Sequence, residues 1–267
     1  MDATESTDPR DHLIEPDALG LTEEARAAFA RRAGRQRARL DGRACIPFLA
    51  GLDRLGLMEP GAPDLAAIDA QLDAACGWRL APVRGPLPET VRLALLAARA
   101  LPVGPPGAGA GEIGFFHALF GHAPLLLERA YADFLEEYGR TGLEAARHGT
   151  QHRLARVWTY AVEGGLAETE QGLRLVGARL LCSQDECVTA LESPTAHRIR
   201  FDLARLMRTR QSEAGATPLY VVLDAPDAWP RLDAGMLAPL WRALDREPDI
   251  EAGSLVPEDR VLSRAAG

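Results

Sequence analysis

The chain has 267 residues, 47% hydrophobic and 25% charged, an ordinary globular balance for one large domain or two small ones. A formal net charge of −8 and a pI near 5.3 argue against a phosphate-backbone partner. Every Lys/Arg position is arginine, which excludes Schiff-base and P-loop lysine chemistry.

The start MDATESTDPRDHLIEPD is too polar for a signal peptide, and no apolar run is long enough for a bilayer. A cytoplasmic protein without a membrane partner is expected. Residues 1–20 read as a mobile arm. LTEEARAAFARRAGRQRARL follows as a helix, and its basic cluster RRAGRQRAR (31–39) reads as a solvated face. ACIPFLAGLDRLGL is a second helix ending at Gly56; PDLAAIDAQLDAAC is a third, opened by Pro63 and Asp64 and closed by Gly77. WRLAPV suits a short strand, PETVRLALLAARAL a helix, and GPPGAGAG (104–111) a break. Helices are expected over 115–121, 124–139, 151–170 and 184–192, and a strand at TPLYVVLD (217–224). The tail from 225 carries helical pieces such as AGMLAPLWRAL. Cys45, Cys76, Cys182 and Cys187 form no CxxC pair and read as free thiols.

FFHALFGHAP (115–124) places His117 and His122 five residues apart in an apolar run. On a regular helix such positions are about 140° apart and share no face. They meet at one ion only if the helix breaks, and Gly121 with Pro124 offers that break. The HExxH mechanism does not apply, because Ala118 follows His117 and supplies no base. A third ligand must come from elsewhere. Glu163, a carboxylate within the apolar stretch RVWTYAVEGGL, needs a buried partner. Two His and one carboxylate form the facial set of non-heme Fe(II) oxygenases. The same residues also suit a hydrogen-bonded core with Glu163 paired to an arginine, and spacing alone leaves both readings open.

These segments resemble the catalytic domain of the biopterin-dependent aromatic amino acid hydroxylases, the bacterial phenylalanine hydroxylases above all. The resemblance is collinear over roughly 24–224: FARRAGRQRARLDGRACIPFLAGLDRLGL, CGWRLAPVRGPLPETV, FFHALFGHAPLLLERAYADFLEEYG, RLARVWTYAVEGGL, VGARLLCSQDE and TPLYVV. It implies a mainly α (α+β) fold: a single helical basket over 21–225 with a small β-sheet, and 226–267 as an extension packed on it. It implies His117, His122 and Glu163 as Fe(II) ligands and catalytic residues. It also implies that dioxygen and a tetrahydropterin serve the hydroxylation of an aromatic side chain.

The resemblance places the pterin against Gly85, Leu87, Arg92, Ala118 and Trp158. Three of these depart from the family pattern: Ala118 replaces an acidic residue, Arg92 the stacking aromatic and Trp158 a tyrosine. A guanidinium can stack on a flat ring, whereas loss of the carboxylate weakens the contact. The substrate would meet Thr159, Gly164, Arg179, Cys182 and Ser183. Thr159 and Gly164 replace aromatics and would enlarge the pocket. The family's carboxylate-binding arginine is missing from the shortened GPPGAGAGEIG segment. Arg179 either replaces that anchor from another wall or binds a different acidic group, or else points to solvent or pairs with a nearby acid such as Asp185 or Glu186. The expected protein is therefore an iron- and pterin-dependent monooxygenase, a monomer or weak homo-oligomer. Its partners are a small aromatic substrate and O2, with no nucleic acid. The alternatives are a pterin-independent iron oxygenase acting on a modified or carrier-bound aromatic, and a catalytically silent metal-binding relative.

Overall fold

The computed structural model describes residues 6–107, 114–212, 219–244 and 246–263. Residues 1–5 of the expected arm, 108–111 of the GPPGAGAG break and 217–218 of the expected strand lie outside the described residues.

Local chemistry sets the first helix ends. Thr22 Oγ1 accepts from the Ala25 N–H at the head of α1 (Glu23–Leu40). Asp64 caps α3 (Leu65–Cys76) in the same way, and Gly77 closes it at φ 70°. Between them, α2 (Ile46–Arg54) has a proline in its first turn. The stripe Phe29, Ala33, Gln36 and Leu40 turns α1 inward, where Gln36 Nε2 donates to the carbonyls of Leu181 and Ser183.

The helix expected over 88–101 is shorter: α4 spans Glu89–Ala97. Arg99, at φ 55°, turns the chain into β2 (Ala100–Val103), which pairs in parallel with β1 (Arg79–Pro82). The turn is held from α6 (Arg129–Arg147), where Asp133 and Glu136 each take a hydrogen bond at 2.6 Å from the Arg99 guanidinium. The helix expected over 124–139 splits into α5 (Ala123–Leu126) and α6.

The larger departure is at 151–170. Only Gln151–Val157 is α-helical (α7); Trp158–Glu163 is π-helical, and Gly165–Thr169 is the strand β3. Leu166 and Ala167 have helical propensity, but Gly164 and Gly165 release the helix and both side chains are buried in a sheet. That sheet has five strands in the order β4 (Gly172–Leu175), β3, β6 (Leu219–Leu223), β5 (His197–Arg200) and β7 (Val261–Ser263). Strands β3 and β5 flank β6 in parallel, and β4 and β7 close the edges antiparallel. Three short helices complete the middle of the chain: α8 (Ala178–Cys182), α9 (Glu186–Glu192) and α10 (Leu203–Arg208).

The result is mainly helical with a small sheet, around one principal core that contains Trp78, Phe48, Phe120, Phe134 and Tyr138. Residues 6–20 do not form a mobile arm: the Ile14 N–H donates to the Pro82 carbonyl and Leu19 is buried. The segment after 225, including α11 (Ala234–Leu244), adds Trp229, Leu232, Leu237 and Trp241 to the same core. Asp249 beyond it accepts a bidentate pair at 2.7 and 2.6 Å from Arg156. No helix of the described residues is long and apolar enough to cross a membrane.

Candidate metal centre and its two cavities

The helix carrying the two histidines does not break. His117–His122 is a π-helical segment in which the Ala123 N–H donates to the Ala118 carbonyl, five residues back. Widening the turn to that spacing brings residues five apart over one another, so the two rings meet with centroids 4.8 Å apart. Gly121 has a different use from the one expected. A Cβ there would lie 3.0 Å from Cys182 Sγ and 3.2 Å from the Ala178 carbonyl, so the glycine lets α8 press against the histidine turn.

Glu163 ends the second π-helical segment and is 3% exposed. Its Oε2 lies 3.1 Å from His117 Nε2 and its Oε1 3.3 Å from His122 Nε2. Two donors at right angles around an ion, each about 2.1 Å from it, sit about 3 Å apart. The three side chains thus have the spacing of one coordination face, and among the described residues they are the group that could hold a metal.

Electrostatics support the same reading. Burial opposes ionisation of Glu163, but the two imidazoles outweigh it and hold the carboxyl well below the usual carboxylate range. Burial also opposes the imidazolium of His117, yet Glu163 and the Cys182 thiol raise that ring well above its ordinary value. His122 is lowered, chiefly by burial, so it stands neutral. Its Nε2 is buried without a hydrogen-bond partner although it faces a carboxylate oxygen. A lone pair directed at an anion is a misfit that a cation between them removes. Because His117 must lose its proton to ligate, Fe(II) binding at neutral pH is expected to release about one proton. Affinity should then rise with pH until that ring is neutral; calorimetry in buffers of different ionisation enthalpy measures both.

A neutral His122 binds metal through Nε2 only if Nδ1 carries the hydrogen. Tyr131, on α6, supplies a partner for that tautomer: its Oη lies 2.7 Å from His122 Nδ1 in a fully buried contact, close enough to accept the Nδ1–H. Burial pushes the Tyr131 phenol well above its usual value, so it stays neutral. Tyr131→Phe leaves Nδ1–H without its acceptor and should weaken iron binding about 10- to 100-fold, read by competition with a metal indicator. Nothing in the sequence separates Tyr131 from an ordinary core tyrosine.

Two cavities meet the centre. A large one, about 900 Å³, reaches His117, Arg179, Cys182 and Ser183, with Phe29 and Phe116 as apolar wall. A small one, about 20 Å³, has room for one water and lies between Arg92, Ala118, His122 and Trp158.

The structure therefore brings together Arg92, Ala118 and Trp158, with the Arg92 guanidinium carbon 4.4 Å from the Trp158 ring centre and its Nε and Nη2 on Glu89. It does not bring Gly85 and Leu87 to them: neither lines the small cavity, Gly85 is half-buried, and Leu87 packs on the cluster of Ala81, Val83, Val91 and Leu95. Thr159 also stands apart, donating to the Ala155 carbonyl and accepting from Gln211. Gly164 does not enlarge the cavity, since a Cβ there would meet Arg179 Nη2 at 3.1 Å: the guanidinium fills that space. Of the alternatives for Arg179, the structure shows the pairing with Glu186. It lines the large cavity and is ion-paired to Glu186, whose other oxygen is 3.5 Å from Tyr220 Oη.

The model of the family described as "Biopterin-dependent aromatic amino acid hydroxylase" matches residues 41–229. A phenylalanine-4-hydroxylase of Ralstonia nicotianae is 38% identical over 235 residues, 86% of this chain and 75% of the relative. One from Chromobacterium violaceum is 35% identical over 264 residues, 97% of this chain and 89% of the relative. The iron- and phenylalanine-bound crystal structure of the C. violaceum enzyme superposes with a TM-score of 0.87 at 36% identity, covering 98% of this chain and 97% of that one.

Proposed function

The chain belongs to the biopterin-dependent aromatic amino acid hydroxylases, and we propose that phenylalanine is its first substrate and that His117, His122 and Glu163 hold its iron. It is a mononuclear non-heme Fe(II) monooxygenase that uses O2 and a tetrahydropterin on an aromatic amino acid or a derivative. The observation that carries the site assignment is the buried His–His–Glu face with one imidazole nitrogen left without a partner.

When bound, Fe(II), O2 and the reduced pterin supply the chemistry that places an oxygen atom on the ring. The chain's own residues do the rest. Glu163 offsets one of the cation's two charges, Tyr131 can accept the Nδ1–H of His122 and so favour the ligating tautomer, and Phe29 and Phe116 give a substrate ring an apolar wall beside His117. The pterin needs more room than the 20 Å³ void offers while Arg92 lies on Trp158. Glu89, at the more exposed side, is the partner that can draw the guanidinium outward and free the indole face.

The test is product analysis by mass spectrometry with iron-loaded protein, O2 and phenylalanine, tyrosine or tryptophan, with and without tetrahydropterin. A hydroxylated product formed only with pterin, and fastest from phenylalanine, is expected. Product without pterin, or none at all from an iron-replete protein, contradicts the reading.

A further inference from the structure

The expected carboxylate anchor is missing from the segment before His117, and Arg179 is already neutralised by Glu186. A second guanidinium reaches the large cavity. Arg32, on α1, lies with its guanidinium carbon 4.0 Å above the ring centre of Phe116. The opposite partner of that ring is Phe120, stacked at 4.8 Å and 13°, and Phe29 packs on it at 5.3 Å. Phe116 is thus fixed and gives Arg32 a firm seat. A guanidinium stacked on a ring keeps its N–H groups in its own plane, available for a planar anion. Among the described residues Arg32 has no carboxylate within ion-pairing distance. Glu24, the acidic residue that shares the cavity wall, stands eight positions away on the same helix, about 12 Å along its axis.

We propose that Arg32 is the anchor for the substrate's carboxylate, so that the cavity selects an aromatic acid with its charged end at α1 and its ring toward His117. The wall leads there directly, because Phe116 is the neighbour of His117. Arg32 is exposed, in keeping with the solvated face expected over 31–39, yet it lies three residues from the buried Phe29, borders the inward stripe and lines the large cavity. This inference rests on the hydroxylase reading for the identity of the cavity, but its test does not require turnover.

The probes are L-phenylalanine and L-phenylalaninamide, which differ in the charge of the carboxyl group. Their equilibrium binding to the Fe(II)-loaded protein is measured by calorimetry without oxygen or pterin. The wild-type protein should prefer phenylalanine by about 10- to 100-fold, the size of one charge-assisted contact. Arg32→Gln should reduce the preference to less than about threefold with iron content unchanged, and Arg32→Lys should restore part of it. Arg179→Gln should leave most of it in place. No preference in the wild-type protein, no binding of either probe, or a preference lost in Arg179→Gln and kept in Arg32→Gln overturns the proposal. Hydroxylation could fail while the preference persists, so the two readings fail separately.

Discussion

Glu163→Gln is expected to lower hydroxylation by about 10³-fold or more while the protein remains folded. The amide has the volume of the carboxyl and reaches the same two imidazoles, so packing is undisturbed. What changes is charge. In the unloaded protein the carboxylate balances a cationic His117, and burial alone would push that ring toward neutrality. In the loaded protein it is the only anion of the three ligands. An amide oxygen replaces it as a neutral, weaker donor at a buried position, where an uncompensated cation is costly. Iron affinity and rate should therefore fall together. Glu163→Asp keeps the charge but withdraws it by one carbon, about 1.5 Å. It should retain some iron and little activity, showing that position matters beyond charge.

Gly177→Ala should be nearly as damaging, although residue 177 contributes no side chain to the site. A Cβ there would lie 2.4 Å from the Glu163 carbonyl oxygen and 2.5 Å from the Gly165 nitrogen, backbone atoms on both sides of the turn that carries the ligand. Gly177 is also tied in place, because its N–H and that of Val176 both donate to the Gly165 carbonyl, at 2.9 and 3.1 Å. No flexible side chain can yield, so the methyl must displace Glu163 itself. Overpacking of this kind costs about 1–3 kcal/mol. In a domain of this size that is about 2–4 °C in Tm per kcal/mol. The diagnostic result is a fall in iron affinity greater than the loss of stability explains. Gly85→Ala, with nothing within 4 Å of the added carbon, is the control and should change neither.

His117, His122 and Glu163 could be picked out in the sequence because a buried His or Glu carries a desolvation cost that calls for a partner. Spacing left a hydrogen-bonded core open as well, and it was the family resemblance that implied them as ligands. How they meet was not legible. Residues 117–122 and 158–163 have the same apolar character as α-helix, and a π-helical segment is selected by packing against α8 and the sheet rather than by local propensity. Likewise β5, His-Arg-Ile-Arg, presents one apolar residue and is a strand because β6 and β7 pair with it. The misreading of 165–169 was avoidable, since the Gly164–Gly165 pair marks a helix end. Arg32 and Tyr131 could not be singled out, because a seat on Phe116 and a bond to His122 are contacts between separate turns or helices.

The most direct test of the account is anomalous diffraction at the iron edge from anaerobic, Fe(II)-soaked crystals. One peak per chain is predicted, about 2.0–2.2 Å from Nε2 of His117, Nε2 of His122 and a carboxylate oxygen of Glu163. A peak elsewhere, or three side chains that keep their present contacts with no iron between them, would contradict it.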